Sequence, residues 1–227
     1  MTSEIRVARL PVETGRSGWA DISERRFPLQ VLEGAHNADW IVVGAGFAGL
    51  AAARRLTQVR PGDKVVVLDA MQVAEGPAGR NSGYMIDVPH NLSAGEYSAA
   101  GAEATALEIA QNRFAIQYAS AAAAEYEMDR ETFDPSGKIN AASTERGMGF
   151  NARYAASLNR IGETNTLLDA RAMRELTGSN YYLGGLQTPG AVMIQPADYI
   201  HAFAAGVRRQ AQLFENSPVT RLQRQGT

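Results

Sequence analysis

Residues 38–69 read ADWIVVGAGFAGLAAARRLTQVRPGDKVVVLD, and this stretch decides the fold. An apolar run at residues 40–43 predicts a parallel strand that is buried on both faces. Three glycines follow the run at G-x-G-x-x-G spacing: Gly44, Gly46 and Gly49. A helix of small residues, a second apolar run at residues 65–68 and a terminal acid, Asp69, complete the pattern. This order of strand, glycine turn, helix, strand and acid predicts a βαβ unit that binds a dinucleotide.

Each part of such a fingerprint has a physical role. The first glycine permits the tight turn, the second lets the backbone approach a pyrophosphate, and the third lets the helix pack closely on the strand. The helix N-terminus presents unpaired N–H groups to the phosphates, and the acid accepts hydrogen bonds from an adenosine ribose. The alternative is a glycine-rich turn that binds no nucleotide. The expected cofactor contacts are Gly44, Gly46, Phe47, Ala48, Gly49, Asp69 and Ala70.

The residues after Asp69 favour a flavin over a nicotinamide. A nicotinamide domain usually continues within a few residues into the next helix and strand of an alternating series. Here the chain instead runs through residues 76–84, GPAGRNSGY, a glycine-punctuated loop with Arg80 at its centre. The arginine offers a positive charge to a pyrophosphate or flavin oxygen.

The sequence resembles the D-amino-acid-oxidase-like flavoproteins, a family that includes glycine and sarcosine oxidases and gamma-glutamylputrescine oxidase. Three segments carry the resemblance: IVVGAGFAGL at 41–50, GRNSG at 79–83, and the tail from Gln195-Pro196 to ENSPV at 215–219. The resemblance implies that the middle loop runs beside the flavin ring and that Val219 contacts adenine through its backbone. The implied flavin contacts are Gly79, Arg80, Asn81, Ser82 and Gly83.

The resemblance also implies fold and chemistry. It implies an α/β fold, with a Rossmann-like FAD-binding domain of the glutathione-reductase type and part of an α+β substrate domain. The activity implied is oxidation of the CH–NH bond of an amine or amino acid to an imine, by hydride transfer to flavin N5, with oxygen or another acceptor taking the electrons. The FAD is expected to be noncovalent, because the chain has no cysteine and His90 follows the loop too late. The substrate-side candidates are Tyr84, His90 and Tyr182, each with a packing or surface role as the alternative.

The resemblance divides the chain into four parts. We expect an N-terminal arm at 1–37, an FAD-binding βαβ unit with its flavin loop at 38–92, a helical segment with part of the substrate domain at 93–194, and a return segment at 195–227. A flavin domain and a complete substrate domain need more than 227 residues. The sequence therefore predicts that the C-terminal half of the enzyme is missing from this chain. Either a second polypeptide completes it in an oligomeric assembly, by internal cleavage or separate synthesis, or these 227 residues are a truncated part of a longer chain.

Composition narrows the possible partners. The chain has 22 basic and 24 acidic residues, a balance that does not favour nucleic acid. No apolar run approaches the length of a membrane-spanning helix, no metal-binding motif occurs, and a cytoplasmic protein is expected.

Two other classes of function stay open. They are an NAD(P)-dependent Rossmann dehydrogenase, which leaves Arg80 and Asn81 unexplained, and a non-catalytic FAD-binding subunit of a larger assembly.

Periodicity and turn residues predict the remaining elements. The helix after the glycines should carry its arginines, at positions 54, 55 and 60, on a solvated side. A long helix should end near Asp129, and the turn at residues 134–137 should close a short hairpin. A further helix is predicted at 145–161, and Asp169 should cap another. Strands are expected at 167–168, 181–186 and 191–194.

Overall fold

A computed structural model of the chain describes residues 4–12, 15–25, 28–89 and 99–224. The described strands are β1 (Glu4–Arg6), β2 (Trp40–Val43), β3 (Val65–Leu68), β4 (Tyr84–Met85), β5 (Phe133–Asp134), β6 (Lys138–Ala142), β7 (Thr166–Asp169), β8 (Gly184–Thr188), β9 (Val192–Ile194), β10 (Gln212–Phe214) and β11 (Arg221–Gln223). The described helices are α1 (Gly18–Ile22), α2 (Phe47–Val59), α3 (Ala99–Glu125), α4 (Glu145–Arg160), α5 (Ala170–Thr177) and α6 (Pro196–Val207). Among these helices, none is long and apolar enough to cross a membrane.

The chain forms two compact units. The first unit comprises Met1–Gly83, Ala122–Thr132 and Gln195–Thr227, and the second comprises Tyr84–Ala121 and Phe133–Ile194.

The first unit contains the predicted βαβ unit. Strands β2 and β3 pair in parallel, with Trp40 opposite Val65 and Val43 opposite Leu68. Strand β10 pairs in parallel with the other edge of β3, which gives the order β10-β3-β2. Both strands of the βαβ unit therefore have the predicted bounds, and β3 is buried at the centre of the sheet.

The predicted burial of β2 on both faces is wrong for this chain. Ile41 is 61% exposed and Val43 is 60% exposed. Within the described residues β2 is hydrogen-bonded to β3 alone, so it forms an edge of the sheet. The apolar run therefore correctly predicted a parallel strand, but not its position in the sheet.

The described residues before the first strand of the βαβ unit contact the rest of the first unit at several places. Strand β1 pairs antiparallel with β11, with Ile5 opposite Leu222. Helix α1 is capped by the Ser17 side chain, which accepts a hydrogen bond from the Ala20 N–H at 3.1 Å. After this helix, the Ser23 hydroxyl donates to the carboxylate of Asp198 on α6. These contacts hold β1 and α1 against the rest of the first unit.

One arginine of α2 was assigned to the wrong side of the helix. Arg54 is 6% exposed, whereas Arg55 and Arg60 are exposed as predicted. The Arg54 guanidinium donates from Nε and Nη2 to Glu125 Oε2, at 2.9 and 2.6 Å. A buried arginine is tolerated here because this carboxylate compensates its charge.

The second unit contains two antiparallel sheets, in the orders β6-β8-β7 and β4-β9-β5. The predicted hairpin around residues 134–137 is wrong, because β5 pairs with β9 and β6 pairs with β8. The turn itself is present: Gly137 has φ +75° and its N–H donates to Ala191 O at 3.0 Å. The turn therefore directs the chain from one sheet to the other.

The helices predicted in the second half of the chain are present, and their bounds differ from the predicted ones by a few residues. Helix α4 follows the predicted range closely, and the Asp169 carboxylate caps α5 by accepting the Ala172 N–H at 2.8 Å. The long helix α3 ends at Glu125 rather than near Asp129, because Glu127 adopts a left-handed φ of +53°. Strand β8 begins at Gly184 rather than at residue 181.

Candidate dinucleotide site

The glycine turn of the fingerprint has a backbone that only glycine can adopt easily. Gly44 has φ +100°, in the left-handed region. A Cβ on Gly49 would lie 1.8 Å from the carbonyl oxygen of Gly44, so α2 approaches the end of β2 as closely as backbone atoms allow. Gly46 is the N-cap of α2 and supplies no side-chain cap. The N–H groups of the first helical turn thus lack a side-chain acceptor, as an anion site requires.

The Asp69 carboxylate ties the end of β3 to the glycine turn. Its Oδ2 accepts the Ala45 N–H at 2.6 Å, and its Oδ1 accepts the Met71 N–H at 2.8 Å. An ionised carboxylate has about four acceptor positions, so each oxygen can still accept a hydroxyl proton. The fingerprint predicts a ribose contact for Asp69, but no sequence pattern predicts its bond to Ala45.

A cavity of about 350 Å³ opens at this turn. It brings together five of the predicted cofactor residues: Gly44, Gly46, Asp69, Ala70 and Val219. The other eight predicted residues do not line it: the five of the loop at 79–83, and Phe47, Ala48 and Gly49. The Phe47 ring packs 5.9 Å from the Tyr199 ring, Ala48 is exposed, and Gly49 lies against the backbone of Gly44.

The loop predicted to lie beside the flavin, residues 79–83, is held by hydrogen bonds within the first unit. Arg80 Nε donates to Glu75 O at 2.7 Å, and its Nη2 donates to Gly15 O. Asn81 Nδ2 donates to Ala78 O at 2.7 Å, and Asn81 Oδ1 accepts the Gly83 N–H at 2.8 Å. These side chains fix the shape of the loop.

Gly79 and Ser82 occupy different environments in the same loop. Gly79 is buried, and a Cβ on it would lie 1.9 Å from Ala74 O. The Ser82 residue is exposed. The indole N–H of Trp19, from α1, donates to Asn81 O at 2.8 Å, so the N-terminal segment also supports the loop.

Two of the three substrate-side candidates, Tyr84 and Tyr182, belong to the second unit. Tyr84 lies on β4 and is about half exposed, and the Tyr182 ring packs edge-on against Tyr181 at 5.3 Å. In the described part of the chain, no hydrogen bond or ring contact joins Tyr84 to Tyr182. The third candidate, His90, lies outside the described residues.

Comparison with known proteins identifies the family. The sequence pattern of the FAD dependent oxidoreductase family, DAO, matches residues 39–227. The chain belongs to this family. The chain is 27% identical to a probable oxidoreductase OrdL of Rhizobium meliloti, over 95% of this chain and 50% of that protein. It is 26% identical to the gamma-glutamylputrescine oxidoreductase of Escherichia coli, over 91% of this chain and 48% of that protein.

Solved structures share the fold of this chain. Glycine oxidase from Geobacillus kaustophilus superposes with a TM-score of 0.59 at 19% identity, over 80% of this chain and 47% of that one. L-amino acid deaminase from Proteus myxofaciens gives a TM-score of 0.63 at 12% identity, over 95% and 43%. The predicted α/β fold and FAD cofactor are confirmed. The chain spans about half the length of the curated relatives it matches.

Glu215 is a structural residue to which the sequence pattern assigned no role of its own. Its side chain is 2% exposed, and Oε1 accepts the Val73 N–H at 2.7 Å. Burial raises the pKa of this carboxyl above its usual value. Glu215 therefore holds the segment that follows Asp69 against the end of β10, which positions one wall of the cavity. Only its place in the ENSPV motif pointed to it.

The second unit contains a buried polar cluster that the sequence did not predict. Asp87 is buried, and its Oδ2 accepts from Arg113 Nη2 at 3.1 Å, while Arg113 also donates to Glu163. Burial, with the charges of Asp87 and Glu163, raises the pKa of Tyr154 to about 12. Burial lowers the pKa of Lys138, which the charge of Asp87 partly opposes. These residues are far apart in sequence, so no local pattern could predict the cluster.

Proposed function

We propose that this chain is the FAD-binding portion of an enzyme that oxidises the CH–NH bond of an amine or amino acid to an imine. The observation that carries the proposal is the cavity where the glycine turn, the N-terminus of α2 and Asp69 meet. The family match favours FAD over a nicotinamide as the occupant. The names of the relatives, glycine oxidase and gamma-glutamylputrescine oxidoreductase among them, support nitrogen-bearing substrates.

The residues around the cavity suit the parts of FAD. The N–H groups at the start of α2 would hold the pyrophosphate, because the helix dipole and unpaired donors favour an anion. Asp69 would accept from the ribose hydroxyls, and Val219 would contact adenine. The loop from Gly79 to Gly83, including Arg80, Asn81 and Ser82, does not line this cavity and would support the flavin part of the cofactor. When bound, the flavin supplies the hydride acceptor, and this chain binds and orients it.

We further propose that more polypeptide completes the enzyme. The chain spans about half of its curated relatives. The edge strand β2 also leaves the apolar side chains of Ile41 and Val43 exposed, as expected of a strand that pairs further in the whole protein. The side chains of that remaining polypeptide that contact the substrate would then determine which amine is oxidised.

An amine or amino acid is expected to reduce the flavin of the complete enzyme in the absence of oxygen. The measurement is anaerobic stopped-flow absorbance against a panel of amines, amino acids, alcohols and hydroxy acids. Hydride leaves from the neutral amine, so the reduction rate should rise with pH through the pKa of the bound substrate. Restored colour and peroxide on readmission of oxygen would indicate an oxidase.

Two results would contradict this proposal in different ways. Reduction by alcohols or hydroxy acids alone would overturn the amine assignment and leave the flavoprotein fold intact. Bound FAD that no compound of the panel reduces would instead favour a non-catalytic FAD-binding subunit.

A further inference from the structure

We infer that the N-terminal segment at residues 7–11 forms part of the FAD site and that Arg9 supplies a positive charge to the dinucleotide phosphates. This inference rests on the proposed binding of FAD in the cavity at the glycine turn. Four residues of the segment line that cavity together with Gly44, Gly46 and Asp69: Val7, Arg9, Leu10 and Pro11. They precede the fingerprint by some thirty residues and carry no recognisable motif.

Backbone hydrogen bonds hold the segment at this wall. Strand β1 pairs with β11 in a register that sets Arg6 opposite Arg221. The next residue, Val7, donates its N–H to Thr220 O at 3.0 Å, directly after the cavity residue Val219. Because these bonds are made by the backbone, the position of Arg9 does not depend on its own side chain.

The charge of Arg9 complements the proposed ligand. Among the described residues that line the cavity, Arg9 and Asp69 are the charged ones. Asp69 already accepts two backbone N–H groups, and no hydrogen bond or ion pair joins Arg9 to any residue in the described ranges. The start of α2 offers the pyrophosphate only partial positive charge. A guanidinium in the same cavity would add a full charge and forked N–H donors, which suit phosphate oxygens.

The neighbouring segment residues suit the uncharged part of the ligand. Val7, Leu10 and Pro11 present apolar side chains to the same cavity. An apolar wall beside Val219 is suited to the face of an adenine base. The segment would thus contribute both a cation and apolar surface to the adenylate half of FAD.

The test compares Arg9→Gln with Arg9→Lys and with Arg6→Gln. Arg6 is the matched control, because it lies on the same segment, is exposed, contacts Glu4 and does not line the cavity. Each protein is stripped of flavin and titrated with FAD, and the Kd is read from flavin fluorescence at low and high salt. We expect Arg9→Gln to raise the Kd about 3- to 10-fold at low salt, since an exposed charge is partly screened. The difference should shrink at high salt, Arg9→Lys should keep most of the affinity, and Arg6→Gln should match the wild type.

Three results would overturn the inference. An Arg9→Gln protein with the wild-type Kd at low salt would remove Arg9 from the site. An equal loss of FAD affinity in Arg6→Gln would show that any positive charge on the segment has the same effect. Wild-type protein that binds no FAD would refute the proposed function itself, a result distinct from the other two.

Discussion

Replacing Gly49 with alanine is expected to abolish stable FAD binding, because the new Cβ has no room between α2 and the glycine turn. It would lie 1.8 Å from Gly44 O, 2.9 Å from Gly44 C and 3.4 Å from Val42 Cγ1. Two of these atoms belong to the backbone, so they cannot rotate away. Helix α2 would have to move off β2, and its N-terminus would leave the cavity. We expect the free energy of unfolding to fall by about 3 kcal/mol.

The matched control for Gly49→Ala is Gly149→Ala. Gly149 also lies inside a helix, α4, but a Cβ there would meet only Arg153 Nη1, at 3.5 Å. Alanine at this position should leave stability unchanged or raise it by about 0.5–1 kcal/mol. Thermal unfolding and the FAD retained after purification measure both variants. A Gly49→Ala protein that unfolds at the wild-type temperature with full FAD content would refute the close packing of α2 on the turn.

Replacing Asp69 with alanine is expected to weaken FAD binding strongly. The change removes a charge-assisted hydrogen bond to the ribose, which costs about 1.5–3 kcal/mol or roughly 10- to 150-fold in affinity. It also leaves the N–H groups of Ala45 and Met71 without their acceptor, which loosens the turn that faces the pyrophosphate. The loss should therefore lie at the upper end of this range.

A second variant at Asp69 separates the charge from the hydrogen bonds. Asp69→Asn keeps an oxygen that can accept one backbone N–H but removes the negative charge, so its Kd for FAD should lie between those of the wild type and Asp69→Ala. Fluorescence titration of the flavin-stripped proteins gives all three values. Equal affinities across the series would place Asp69 outside the site.

The sequence predicted those parts of the fold that depend on neighbouring residues. The bounds of β2 and β3 follow from apolar runs that end at a glycine turn and an acid, and the Asp169 cap follows from one side chain and the helix after it. Two predictions are wrong for a common reason: the burial of β2 on both faces and the hairpin around Gly137. Strand pairing depends on partners that are distant in sequence, and local alternation does not identify them.

The candidate site was predictable to a similar extent. The fingerprint identified Gly44, Gly46 and Asp69, because each answers a local requirement for a turn, a close approach or an acceptor. Arg9 was not predictable, because its segment reaches the cavity only through the pairing of β1 with β11. The burial of the Arg54 side chain was not predictable for the same reason, since its partner Glu125 belongs to a helix far along the chain.

The most direct test of the account is the identity and attachment of the cofactor in the purified protein. If FAD binds noncovalently at the glycine turn, the purified protein is yellow and shows flavin absorbance bands. Denaturation with acid then releases FAD into the supernatant. Release is expected because the chain has no cysteine to form a thioether with the ring. Flavin that stays with the precipitated polypeptide would contradict noncovalent binding. A supernatant that contains a nicotinamide nucleotide instead of FAD would contradict the assignment of the site.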